Sequence, residues 1–216
     1  KIIVGDEHQQ IYGWRHAVTS LAQVSFKAKF LTNSFRFGSS IAQLANHVLG
    51  WKKHLDIDVN FEVKGKGNYQ ETKTKAVLAR TNLGLLLKAI EYVSEKDKKN
   101  LYFEGNIHSY TYADDGTSLY DGLNLYLGNK YRIKDALIKE MRNMADLDDY
   151  IESTQDLQLA MMVEVVKQYG EEIPELIKEI KARHIEGDDR SKAEIIFSTV
   201  HRSKGMEYDQ VQLVDD

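Results

Sequence analysis

The sequence has no cysteine and one proline among 216 residues. Without cysteine there can be no disulfide framework and no thiolate metal site, which fits a reducing, intracellular setting. No apolar run approaches the ~20 residues that a membrane-spanning helix needs. No signal peptide is visible. Positive charge is not in surplus either: 29 Lys and Arg stand against 33 Asp and Glu, a net charge of -4. That balance argues against a strongly basic nucleic-acid binder and leaves room for a local site. No HxxxH or carboxylate spacing suggests a metal site, and no G-x-S-x-G or Cys/His pair suggests a nucleophile. There is no G-x-x-x-x-G-K-[ST] phosphate loop, no internal repeat and no low-complexity tract. The first residue is Lys1, directly before an apolar run, so the chain reads as cut from a longer protein.

The chain is long enough for one large domain or two small ones, and its 42% hydrophobic residues can fill a core. "KIIVGD" reads as a short buried strand closed by a glycine turn. Residues 16–24 suit a helix and "KAKFLT" a second strand. Ser39 or Ser40 can cap a helix through "IAQLANHVLGW". "DVNFEVKG" alternates like an exposed strand. "KAVLAR" is a buried strand, and Asn82 can cap the helix "LGLLLKAIEYVSEK". Strand and helix alternate up to this point, which predicts a parallel sheet with helices on its faces. After "SEKDKKN" the pattern turns helical, in "SLYDGLNLYLG", "RIKDALIKEMRNM", "TQDLQLAMMVEVVKQYG" and "IPELIKEIKARH", with Pro174 near a helix start. "AEIIFSTV" and "DQVQLVDD" return to strand. The simplest account is an α/β domain holding a helical insertion. "NLYFEG" looks like part of an engineered protease-cleavage tag, but its internal position and the Glu before Gly mark it as native.

Three stretches at expected strand ends carry more chemistry than packing requires, and ligands of open α/β sheets gather at that edge. "VGDEHQQIYGWRHA" sets Gln9, Tyr12, Trp14 and Arg15 together. A glutamine can position water or sense a terminal phosphate, and a tryptophan beside an arginine can stack a base and hold a phosphate. The plainer reading places Tyr12 and Trp14 in the core. In "LTNSFRFGSS", Arg36 can reach a phosphate and Phe35 can stack on a purine, against the plainer reading of a buried Phe and a satisfied Arg. In "STVHRSKGMEYDQVQLVDD", Thr199, His201, Lys204, Gly205 and Glu207 crowd one turn between strands. Lys52, Lys53, Lys64, Lys66, Lys73 and Lys75 form a further basic stretch, diluted by acids and read as a solvated loop or edge strand.

In order and spacing these segments resemble the UvrD/Rep-like superfamily 1 DNA helicases. "GDEHQQIYGWRHA" is similar to motif III, "LTNSFRFG" to motif IV, "VLARTN" to motif IVa, "LYFEGNIHSY" to the segment entering the insertion domain, and "TVHRSKGMEYDQVQLVDD" to motif V. The wording "NSFRFG" and the reduced insertion are closest to the F-box DNA helicase branch; no F-box is present, so nothing about ubiquitin ligation transfers. The resemblance implies a RecA-like, P-loop NTPase-type α/β fold, a parallel sheet with helices on both faces. Residues 1–95 would form the first part of domain 2A, with 1–20 the motif III edge of domain 1A. Residues 96–191 would be a helical 2B-like insertion, and 192–216 the rest of 2A.

The same resemblance implies roles. Gln9 would sense the γ-phosphate of ATP. Trp14 would stack a DNA base, supported by Tyr12 and Arg15. Phe35 would stack on adenine, although many relatives have Tyr there, and Arg36 would be the arginine finger. Glu207 would hold the ATP ribose, and Thr199 and His201 would touch DNA or relay between sites. Ser34 replaces a common Asn. Mg²⁺ ligands would lie in an upstream part. The implied partners are single-stranded DNA or a single/double-strand junction and the N-terminal RecA-like domain, in the cytoplasm of a bacterium or the nucleus of a eukaryote. The implied activity is an ATP-dependent 3′-to-5′ helicase, with this piece inactive alone. Two other readings stay open: a non-catalytic helicase-like module that binds DNA or protein, and a helicase–nuclease subunit.

Overall fold

The computed structural model describes residues 2–6, 20–68, 72–95, 100–111, 118–187 and 189–216. The chain divides into two compact units, Lys1–Glu71 and Thr72–Asp216. Among the described residues no helix is long and apolar enough to cross a membrane.

The first unit has little core. Strand β1 (Asn33–Ser34) pairs in parallel with β2 (Lys64–Gly65), and helix α1 (Ser39–Gly50) lies between them in sequence. The buried strand expected at the start does not form: residues 2–6 take no regular structure, and Ile2 is 92% exposed. A strand needs a neighbour to satisfy its amides, and residues 2–6 form no ladder with a described strand. The expected strand "KAKFLT" is likewise reduced, since the ladder begins only where Thr32 accepts from the N–H of Lys64 (2.7 Å). The strand "DVNFEVKG" is shortened for a visible reason. The Asn46 side chain donates to the Val63 carbonyl (2.9 Å) and accepts from its N–H (2.8 Å), so Val63 has nothing left for a strand partner. Helix α1 starts at an extended Gly38 without any side-chain cap, so neither Ser39 nor Ser40 caps it. A three-residue-per-turn helix at Ser20–Gln23 is what the structure describes of the helix expected over 16–24.

The second unit holds a four-stranded, wholly parallel sheet in the order β4-β5-β3-β6. These are β3 (Lys75–Ala79), β4 (Leu101–Phe103), β5 (Ile195–Thr199) and β6 (Gln210–Leu213). Parallel neighbours need long crossovers. One crossover is α2 (Asn82–Ser94), which buries Leu83, Leu85, Leu86, Ala89 and Ile90 against the sheet. The cap of α2 is Thr81, whose Oγ1 accepts from Gly84 N–H (2.9 Å), and not Asn82, whose amide donates instead to the Ser109 carbonyl (3.1 Å). The return from β4 to β5 is helical. It runs through α3 (His108–Thr111), α4 (Leu119–Tyr126), α5 (Ala136–Glu140), α6 (Met144–Thr154), α7 (Leu157–Tyr169) and α8 (Ile173–Arg183). Pro174 sits in the first turn of α8, where a missing N–H is harmless. Leu123, Val163, Val166, Ile177 and Ile180 from these helices join the core beneath α2. The opposite face carries a smaller cluster of Ala76, Tyr102 and Ile196. The α/β expectation of a parallel sheet flanked by helices is met. The tag-like "LYF" is the buried strand β4.

His184 closes the return. Its Nδ1 accepts from the Phe103 N–H (3.3 Å) and its ring stacks on Tyr102 (5.5 Å). Burial holds its pKa below the ordinary histidine value, opposed by the charge of Glu186. A histidine depressed in the folded state is bound neutral. Its contribution is therefore complete above the unfolded value of about 6.5 and falls as pH drops through the lower folded value. The melting temperature of wild type minus that of His184→Gln should shrink between about pH 7.5 and 5.5. A difference that stays constant over that range would remove His184 from the pH response.

Candidate functional site

The stretch "SFRFG" forms an exposed loop between β1 and α1. It is held by main-chain bonds: Ser34 accepts from Lys66 N–H (2.7 Å) and Phe37 from Gly67 N–H (2.9 Å). The contact is too close for side chains. A Cβ on Gly65 would run into the Gly38 carbonyl, and one on Gly67 would lie 2.7 Å from the Phe35 oxygen and 2.8 Å from the Phe37 nitrogen. These neighbours are backbone and cannot swing aside. The result is that Phe35, 79% exposed, and Arg36, also exposed, stand out from a loop pinned from below. The reading of a buried Phe is thereby excluded.

In the second unit the strand ends collect at one edge. Thr199 ends β5 and is buried; its Oγ1 accepts from the Arg202 N–H (3.4 Å) and its carbonyl from the Ser203 N–H (2.9 Å). Met206 N–H then donates to Ser203 (2.9 Å), and Gly205 takes φ +83, a conformation that favours glycine. The turn displays His201, Lys204 and Glu207 as exposed groups. Next to it, at the end of β3, Asp216 accepts from Arg80 N–H (2.8 Å), Thr81 N–H (2.8 Å) and Thr81 Oγ1 (2.5 Å). Burial pushes its carboxyl up, but the Thr81 and Arg80 bonds outweigh this and leave the pKa lowered.

At the end of β4 lies a group that sequence reasoning missed. Glu104 is only 8% exposed. One carboxylate oxygen accepts from Arg190 Nη1 (2.9 Å) and from the Tyr208 hydroxyl (3.3 Å). Its main-chain carbonyl accepts from the Tyr110 hydroxyl (2.6 Å) and Arg202 Nη1 (3.5 Å). Arg202 lies 5.7 Å from the Tyr110 ring centroid, and Gly105 (φ +96) leaves it room, since a Cβ there would strike the guanidinium. The signal in the sequence is a glutamate directly after three apolar residues at a strand end.

Of the residues singled out from sequence, Thr199, His201 and Glu207 share one turn, while Phe35 and Arg36 share one loop of the other unit. Gln9, Tyr12, Trp14 and Arg15 lie outside the described residues. Among the described residues no group of three or more His, Asp or Glu side chains is arranged to hold a metal ion.

A parallel α/β sheet with a loaded carboxyl edge is the architecture of RecA-like domains. Comparison with known proteins is more specific. Over its whole length the chain is 30% identical to F-box DNA helicase 1 of Gallus gallus, across 229 residues and 22% of that protein. It is 27% identical to F-box DNA helicase protein 1 of Schizosaccharomyces pombe, across 239 residues and 26% of that protein. The chain spans about a quarter of the length of these relatives. No protein-family profile and no solved structure matches it. Over its whole length the chain is thus similar to two proteins named F-box DNA helicases.

The glycine contacts yield a test. Gly67→Ala should destabilise the first unit by roughly 1–3 kcal/mol, as overpacking does. It should also speed amide exchange at Lys64 and Lys66, whose N–H groups form the ladder. Unchanged exchange at both would show that the loop does not depend on the close approach.

Proposed function

We propose that the chain is the second RecA-like domain of an ATP-driven DNA helicase or translocase that moves 3′ to 5′ on single-stranded DNA. In this reading residues 1–95 and 192–216 are the RecA-like part, with 1–20 the edge of its neighbour, and 96–191 are the insertion. Arg36 is the arginine finger, Phe35 the adenine platform and Glu207 the ribose contact. Gln9 senses the γ-phosphate. Tyr12, Trp14, Arg15, Thr199 and His201 meet the DNA. ATP is the substrate of the motor, and Mg²⁺ is held by acids of the other RecA-like domain. The observation that supports the reading most is the order of the strand-end stretches along a chain whose whole length aligns with proteins named DNA helicases. Exposed Phe35 and Arg36 on a pinned loop suit groups that close onto a nucleotide from one side.

One side is not a complete site. The purified 216-residue chain should therefore show no DNA-stimulated ATP hydrolysis. Robust turnover that copurifies with the chain would overturn the reading of a half-site.

In the complete protein, Arg36→Ala should lower kcat for ATP by on the order of 10³–10⁵ and leave single-strand DNA affinity nearly unchanged. Arg36→Lys should not restore the rate, because a point charge lacks the planar fork of the guanidinium. A wild-type kcat in Arg36→Ala would assign this residue to structure.

A further inference from the structure

Glu104 has no part in the roles above, yet it is buried and bonded to Tyr208, the residue after Glu207. We propose that Glu104 is the positioning residue for the turn at 200–207, setting where Thr199, His201 and Glu207 stand. This rests on the reading of that turn as a ligand contact.

The geometry supports a directing role in three ways. First, both donors on the carboxylate engage the C-terminal end of the turn. Tyr208 is the residue after Glu207, and Arg190 reaches from Glu104 to the Met206 sulfur (3.2 Å) inside the turn. Second, the main-chain carbonyl of the same residue is tied to Arg202, whose own N–H is the one that closes onto Thr199. The turn is therefore held at residues 202 and 208 by Glu104, just after β4, and at 206 through Arg190. Third, the donors keep their protons. Burial, then the charge of Glu104, pushes the Tyr208 hydroxyl up to about 12, and the bond to Glu104 raises the Arg190 pKa further. A carboxylate between two permanent donors is a fixed anchor.

Position matters here because the helical segment leaves the sheet immediately after Glu104 and returns just before β5. Arg190 lies on the returning chain. The anchor thus ties the root of the helical segment, on both its outgoing and incoming strands, to the turn that displays His201 and Glu207. A shift of that segment would be passed to the turn through Glu104.

The test uses the 216-residue chain and two readouts. Amide exchange reads the turn without any ligand. In Glu104→Ala the Ser203 and Met206 amides should exchange about ten-fold faster while the α2 amides are unchanged, local opening being separable from global unfolding. Glu104→Gln, which keeps the acceptor, should restore most of the protection. Titration with a fluorescein-labelled oligothymidylate reads the consequence: Glu104→Ala should bind several-fold more weakly at a temperature where it is folded, and Tyr208→Phe should weaken binding in the same direction. The double variant should be no worse than Glu104→Ala alone, since both residues act through one contact. If Glu104→Ala does not fold, Tyr208→Phe is read for the same local pattern. Faster exchange spread equally over α2 and the turn would overturn the proposal, making Glu104 a structural pin only. So would unchanged exchange in the turn. If the wild-type chain binds no oligonucleotide, the ligand reading fails, while the exchange result still decides the anchor.

Discussion

Strand β5 is paired on both sides, to β4 and to β3, and in parallel with each. That single constraint shapes the second unit. A parallel strand cannot be reached by a tight turn, so the chain must leave at one edge of the sheet and re-enter at the opposite edge. It does so three times, through α2, through the helices from α3 to α8, and through the segment 200–209 between β5 and β6. All four strands consequently finish at one edge, and residues far apart in sequence meet there. Asp216 binds Thr81 across 135 positions, and Arg190 binds Glu104 across 86. Chemistry at such an edge follows from topology before any side chain is chosen.

The choice of side chains then settles the charge. A molecule of net charge -4 is a poor partner for phosphates unless its acids are locally occupied. At this edge two of them are. Asp216 is bound to the N–H groups of Arg80 and Thr81, and Glu104 to Arg190 and Tyr208. These two carboxylates are engaged within the protein, and the exposed turn offers His201, Arg202 and Lys204 beside Glu207. Net charge therefore does not describe the local charge at this edge. The cost of sinking a carboxylate is offset by donors that are themselves charged or N–H groups in good geometry.

Much of the second unit was legible because its signals are local. "KAVLAR", "AEIIFSTV" and the α2 segment are apolar runs whose burial follows from composition, and Pro174 marks a helix start by its own chemistry. Errors arose where a side chain from elsewhere took over a backbone group. Asn46 occupies Val63 and ends a strand that alternation favoured, and Thr81, fixed by Asp216, takes the cap from Asn82. Helix α6 was missed because "MADLDDYIEST" buries only Leu147 and shows little apolar period. The Glu104 group was missed for a related reason. Its members lie at 104, 110, 190, 202 and 208, and no window of sequence contains them. The turn at 199–207 could be found because its members are consecutive.

The first unit follows another logic. Helix α1 buries only Ala42 and leaves Ile41, Leu44 and Val48 exposed, so a packed core does not hold its N-terminal loop. Twelve residues of helix have little stability by themselves. What fixes the loop is main chain against main chain: Thr32, Ser34 and Phe37 accept from Lys64, Lys66 and Gly67, while Asn46 ties α1 to Val63. Such a mount is insensitive to most side chains and intolerant of any Cβ at Gly65 or Gly67. It leaves Phe35 and Arg36 exposed. A side chain that is not packed can keep a large ring in solvent, as Phe35 does on this loop.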